Sequence, residues 1–117
     1  MEKSSVVSGR EVEEAAARIL ESKGFVILER NFRTRRGEID LIARDGQELV
    51  FVEVKGRTSS GFGGAAGAVG ALKRLRVIGA ARTFVAARRL DCPMRFDVVT
   101  FEKGRWEHLA GAFWEGW

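Results

Sequence analysis

Two short runs of alternating side chains constrain this 117-residue chain more than any other feature in it. Glu38-Ile39-Asp40-Leu41-Ile42 and Leu49-Val50-Phe51-Val52-Glu53-Val54-Lys55 alternate with period two around Asp45-Gly46, a dipeptide that favours the type I′ turn of a tight hairpin. A two-residue loop at Asp45-Gly46 sets Glu38 opposite Glu53 and Asp40 opposite Phe51; the register two residues over sets Asp40 opposite Glu53. In either register the acids share one face, with Lys55 two residues beyond Glu53. The other face, Ile39, Leu41, Val50, Val52 and Val54, is wholly apolar and has to be buried.

The segments around the hairpin supply the rest of an α/β layer. Ser8 and Glu11 have the spacing of a capping box, and Val12, Ala16, Ile19 and Leu20 recur at helical spacing until Gly24, which predicts a helix over about 9–23. Phe25 to Asn31 reads as a strand and Phe32 to Gly37 as a basic connection. Six of the 14 glycines fall between Gly56 and Gly70, ahead of a second helix predicted from about Ala66. Its apolar face is Leu72, Leu75, Ile78, Ala81 and Val85, and Lys73, Arg74, Arg76, Arg82, Arg88 and Arg89 cover the remainder. Met94 to Phe101 reads as a fourth strand, returned parallel to the third by the helical crossover. A turn at Lys103-Gly104 leads into a short strand near Trp106, and an aromatic tail carries Phe113, Trp114 and Trp117. The predicted order is αβββαβ plus one short strand, in a single domain over 1–117.

Charge is informative through its placement. The net charge is +4, yet residues 58–90 hold six cations and no acid, while 1–29 and 91–117 lean acidic. Such a stretch fits a polyanion, or else a solvated basic helix face. No apolar run approaches the roughly 18–20 residues of a membrane helix, no secretory leader is visible, and one cysteine, Cys92, rules out an internal disulfide. The expectation is a cytoplasmic protein with no membrane contact.

Three acids on neighbouring strands repel one another, and Lys55 neutralises one at most. An oxygen-seeking divalent ion balances such a set. With no His or Cys nearby, the donors suit Mg²⁺ or Mn²⁺ over Zn²⁺. An ion there polarises a phosphoryl oxygen and acidifies bound water, and a lysine beside it can orient or deprotonate the attacking water: a phosphodiester hydrolase in outline. The bland alternative is a solvated strand face, where Glu-x-Lys pairs are routine.

Gly37-Glu38-Ile39-Asp40-Leu41-Ile42, Phe51-Val52-Glu53-Val54-Lys55 and Arg95-Phe96-Asp97-Val98 resemble the YraN-like family of uncharacterised bacterial proteins, related to Holliday-junction resolvases within the restriction-endonuclease-like, PD-(D/E)xK superfamily. The resemblance extends from about Gly9 to Phe113, with Glu13 and Ala16, Arg30-Asn31, Lys73 and Ala112-Phe113 among its matches. It implies a restriction-endonuclease-like core and a DNA endonuclease selective for Holliday junctions or other branched DNA. By position it makes Asp40 and Glu53 the metal ligands and Lys55 the residue that handles water. Glu38 and Glu13 become supporting acids, and Lys73 faces a phosphate. Val12, Ala65 and Gly67 depart from the family's glycine, proline and acid.

Arg33, Arg35 and Arg36 border the acids, and with Lys73, Arg74, Arg76 and Arg57 they are the expected nucleic-acid contacts. Branched or flapped DNA is the expected partner, RNA an alternative, with a two-fold homodimer as the arrangement that would present two sites. The rival reading is a nucleic-acid-binding or partner-binding module that keeps the fold without turnover. Gly61 to Ala66 satisfies a relaxed dinucleotide pattern, but no acid follows at the required distance, and a loop closing over nucleic acid is the preferred reading. Asp97 is expected to anchor an arginine internally, His108 to pack, and the tryptophans to cover one end of the sheet or a subunit interface.

Overall fold

The computed structural model describes residues 9–57 and 70–113. Helix α1 (Gly9–Ser22) precedes strands β1 (Val26–Thr34), β2 (Gly37–Asp45) and β3 (Glu48–Arg57); helix α2 (Ala71–Arg88) then leads to β4 (Met94–Glu102) and β5 (Arg105–Phe113). The strands form one sheet in chain order, antiparallel throughout except for the parallel pair β3 and β4. The αβββαβ order expected of a restriction-endonuclease-like core is therefore present, as is the parallel return of β4.

Among the described residues, each face of the sheet is covered by one helix. On one side Ala16, Ala17 and Leu20 of α1 pack with Leu41, Ala43, Val50, Val52 and Val99. On the other, Val77, Ile78, Ala80, Ala81 and Phe84 of α2 pack with Ile42, Leu49, Phe51, Phe96, Val98 and Phe113. Helix α1 stops as the sequence predicts. Gly24 takes φ +96, its N–H reaches the Glu21 carbonyl, and the Phe25 N–H reaches that of Leu20, a Schellman ending that needs a left-handed residue. Ser8, the predicted cap, lies outside the described residues.

Several expectations are corrected. Strand β1 continues through Phe32, Arg33 and Thr34, leaving only Arg35 and Arg36 as the connection; the Phe32 ring packs on Phe84 at 5.3 Å, so burial overrides the local polarity. The hairpin closes at Gly46-Gln47, with Asp45 paired to Glu48 and Leu41 to Val52. Only Gly46 has positive φ, the pattern of a type II′ turn, and the register is the one two residues over from the Asp45-Gly46 closure. The predicted short strand near Trp106 is nine residues long and includes Phe113, which stacks on Phe96 at 5.0 Å and is no tail.

Helix α2 differs most. Gly70 is extended and the described helix runs from Ala71; Ala66, the expected start, lies outside the described residues. Leu72 and Leu75, read as core, are 73% and 58% exposed, whereas Gly79, Ala80 and Ala81 are buried. Close backbone approach explains this. A Cβ on Gly37 would lie 2.0 Å from the Arg76 carbonyl oxygen, and one on Gly79 would lie 3.0 Å from the Arg36 Cβ. The helix turns its small residues to the sheet, and its leading turns present Lys73 instead of leucine.

The hairpin face is also less regular than period two implies. Ile39 packs under α2, but Leu41, two residues on, packs under α1. Their β1 partners behave alike: Phe32, opposite Ile39, joins the α2 side, and Arg30, opposite Leu41, bonds Glu14 of α1 at 2.9 Å. The change of face is centred on Asn31, at φ +52, and on Asp40. The apolar face read from the sequence therefore holds for Leu41, Val50, Val52 and Val54, while Ile39 belongs to the opposite side.

Candidate metal centre at the fork between two strands

The pairing of β2 with β3 runs from the hairpin to Leu41 and Val52 and ends there. Beyond it Gly37–Ile39 remain paired to β1, and Glu53–Arg57 to β4, so the two strands diverge. Asp40 stands at this fork. Its Oδ2 accepts the Val54 N–H at 2.9 Å, taking the place of a ladder carbonyl. Burial pushes the Asp40 carboxyl above its usual range, opposed by that N–H and by Lys73.

Glu53 faces Asp40 from the other arm and is only 3% exposed. Its Oε1 lies 3.2 Å from the Nζ of Lys73, and its Oε2 is buried with no hydrogen-bond partner among the described residues. Burial, followed by the Asp40 charge, pushes its carboxyl up to about 8, against the pull of Lys73. Burial lowers the Lys73 ammonium, but the charge of Glu53 and the bond to it more than offset this and leave it raised. A buried acid with one oxygen unsatisfied costs free energy on the order of 1–3 kcal/mol.

Glu13 approaches from α1. Burial and the Asp40 charge raise its carboxyl, and a side-chain bond from Asn31 opposes them. Glu13, Asp40, Glu53 and Lys73, spread over 60 residues of sequence, thus form one electrostatic group. Glu38 stands at its margin and pairs with Arg33 at 3.3 Å. Lys55 is exposed on β3, two residues beyond Glu53 and level with Thr100 of β4.

The expected phosphate contacts are only partly free to act as such. Lys73 is engaged by Glu53, Arg33 by Glu38, and the Arg74 guanidinium lies 5.5 Å from the Phe113 ring centre. Arg76 and Arg36 are exposed beside the Gly37 seat, and Arg35 is exposed in the connection. The Arg57 side chain, Gly61 to Ala66, Trp114 and Trp117 lie outside the described residues. Asn31 was not singled out as a site residue from the sequence, although an asparagine inside a strand is a signal of left-handed backbone. Asp97 anchors Arg95 as expected, His108 packs edge-on with Phe25 and hydrogen-bonds Asp97 through Nε2 at 2.7 Å, and Trp106 packs beside the α1 core.

The donors suit an oxygen-seeking cation: two carboxylates on diverging strands, one carrying an orphaned buried oxygen. Among the described residues no three His, Cys, Asp or Glu side chains form a ready cage. Mg²⁺ is commonly bound through one or two carboxylates with the rest of its shell from water and substrate oxygens.

A family model for the uncharacterised protein family UPF0102 matches residues 12–101. The chain belongs to the UPF0102 family. Among its relatives is a UPF0102 protein of Dechloromonas aromatica, 50% identical over 105 residues, covering 90% of this chain and 87% of the relative. Another, from Anaeromyxobacter dehalogenans, is 52% identical over 110 residues, covering 90% and 82%. The matched span of this UPF0102 chain contains Glu13, Asp40, Glu53, Lys55 and Lys73. No helix among the described residues is long and apolar enough to cross a membrane.

Proposed function

We propose that this chain is a Mg²⁺- or Mn²⁺-dependent endonuclease that hydrolyses phosphodiester bonds of DNA and selects branched or flapped structures. The observation that carries the reading is the buried, unpartnered Oε2 of Glu53, whose carboxyl shares the strand fork with Asp40. Asp40 and Glu53 would hold the cation, which when bound polarises a phosphoryl oxygen and lowers the pKa of water. Val54 fixes the Asp40 carboxylate through its N–H, while Glu13 adds negative charge from α1. Lys55 stands exposed on β3 two residues beyond Glu53 and would orient the attacking water. Arg35, Arg36 and Arg76 are exposed cations on the approach and would hold backbone phosphates, which position a duplex without reading its sequence. Two copies about a two-fold axis would address both strands of a symmetric junction.

The test is cleavage of junction, flap, single-stranded DNA and RNA substrates with Mg²⁺ or Mn²⁺. Junctions or flaps should be nicked, and Asp40→Asn or Lys55→Ala should lower the rate by about 100-fold or more. Undiminished cleavage by both variants overturns the assignment. Salt-sensitive DNA binding with no cleavage under any divalent ion establishes the non-catalytic module instead.

A further inference from the structure

Resting on that metal-site reading, we infer that Lys73 is an exchangeable counter-ion. It holds Glu53 in the metal-free protein, gives way when a divalent cation enters the fork, and passes its ammonium to a substrate phosphate. Three observations carry this. The Lys73 Nζ lies 3.2 Å from Glu53 Oε1, inside the donor set that a cation would need. Glu53 is almost wholly buried, whereas the Lys73 side chain is 44% exposed, so the lysine enters from solvent and can leave by the same route. Lys73 also sits in the first turn of α2, ahead of the buried part of the helix, which begins one turn on at Val77.

An ammonium on Oε1 and a divalent ion on Oε2 of the same buried carboxylate stand close enough to repel strongly. Whatever Lys73 contributes to balancing Glu53, an entering cation has to overcome. Lysine suits such a role, being a point charge on a flexible four-carbon stem with three donors and no fixed geometry. Once released at the mouth of the fork it meets the phosphate that the cation also attracts. A phosphate that draws Lys73 away strengthens cation binding, and by linkage a cation that displaces Lys73 strengthens phosphate binding by the same factor. Lys73 is thus a positioning residue that couples the order of loading.

The experiment titrates Mn²⁺ alone into the full chain by calorimetry, without turnover, and compares wild type with four variants. Lys73→Gln should bind Mn²⁺ about 10-fold tighter or more, a free-energy difference of about 1.4 kcal/mol. Its melting temperature should also rise more on saturation with Mn²⁺ than that of the wild type. Lys73→Arg, which keeps the charge, should stay near wild type. Arg76→Gln removes the same formal charge one turn away and should change affinity by less than about 2-fold, given screening in water. Asp40→Asn should abolish binding. Equal or weaker binding by Lys73→Gln, or equal tightening by Arg76→Gln, overturns the exchange while leaving the metal site standing. Absence of Mn²⁺ binding in the wild type and every variant overturns both.

Discussion

Glu53 and Asp97 are both buried carboxylates, on neighbouring parallel strands, and their surroundings are opposites. Val52 pairs with Asp97 and Glu53 with Val98, so the two acids are one residue out of step and point to opposite faces. Asp97, fully inaccessible, takes Nε and Nη2 of Arg95 at 2.9 and 3.0 Å, Nε2 of His108 at 2.7 Å and the Gly111 N–H at 2.9 Å. Burial alone would raise its carboxyl, but these bonds hold it below the usual range. Glu53 has Lys73 on one oxygen and no described partner on the other, and its carboxyl is pushed up. Burying an acid therefore says little about its purpose; the saturation of its oxygens separates an anchor from a site. Arg95 extends the anchor to Asp45 and Glu48, tying β4 to the hairpin end farthest from the fork.

Removing the anchor should have the largest effect. Asp97→Ala leaves Arg95 and His108 without their buried partner and should cost about 3–5 kcal/mol, measured by urea denaturation. A loss as small as that of a surface mutation would erase the distinction between the two acids.

Glu53→Gln should behave in the opposite way, abolishing Mn²⁺ binding while changing the stability of the metal-free protein by less than about 1 kcal/mol at pH 7, because the carboxyl it replaces still holds its proton there. The same variant isolates the pH dependence. Native Glu53 keeps its proton up to about pH 8, whereas an unfolded glutamate loses it near 4.3. Between those values the native state binds more protons, so its stability falls as pH rises. The native Asp97 carboxyl is lowered, so its contribution is present above the unfolded value and lost only as pH drops below the ordinary aspartate range. Denaturation at pH 5, 6.5 and 8 should show the wild type weakening and Glu53→Gln weakening less; parallel slopes would refute the contrast.

The smallest effect calibrates the rest. Helix α2 ends with Arg89 in the left-handed conformation at φ 53, with the Leu90 N–H on the Val85 carbonyl. Arg89→Gly should raise stability by about 0.5–1 kcal/mol without altering metal affinity, since it touches neither carboxylate.

The strand order, the parallel return and the acidic pair were legible in the sequence because period two, a Gly turn signal and a crossover of helical length act locally. The rotation of α2 was not. A search for large apolar residues selects Leu72 and Leu75, but the seat between Gly37 and Arg76 admits only small residues at the contact. The choice between the two hairpin registers escaped for a similar reason: Asp45-Gly46 is a good turn pair, yet Asp45 is held in the strand opposite Glu48, and Arg95 bridges both. The role of Lys73 as the partner of Glu53 depends on that unforeseen rotation, and Asn31 matters through its backbone conformation, which no spacing rule conveys.

The change of face at Asn31 and Asp40 bears on whether such a site could be transplanted. Asp40 interacts with Glu13 of one covering helix and Glu53 beneath the other, because the backbone turns over where the strands part. Asp40, Glu53 and Lys55 grafted onto an evenly pleated hairpin would keep their spacing and lose the link to α1. The heritable unit here is the irregular piece of chain that holds the three side chains apart, and a designer would have to copy that first.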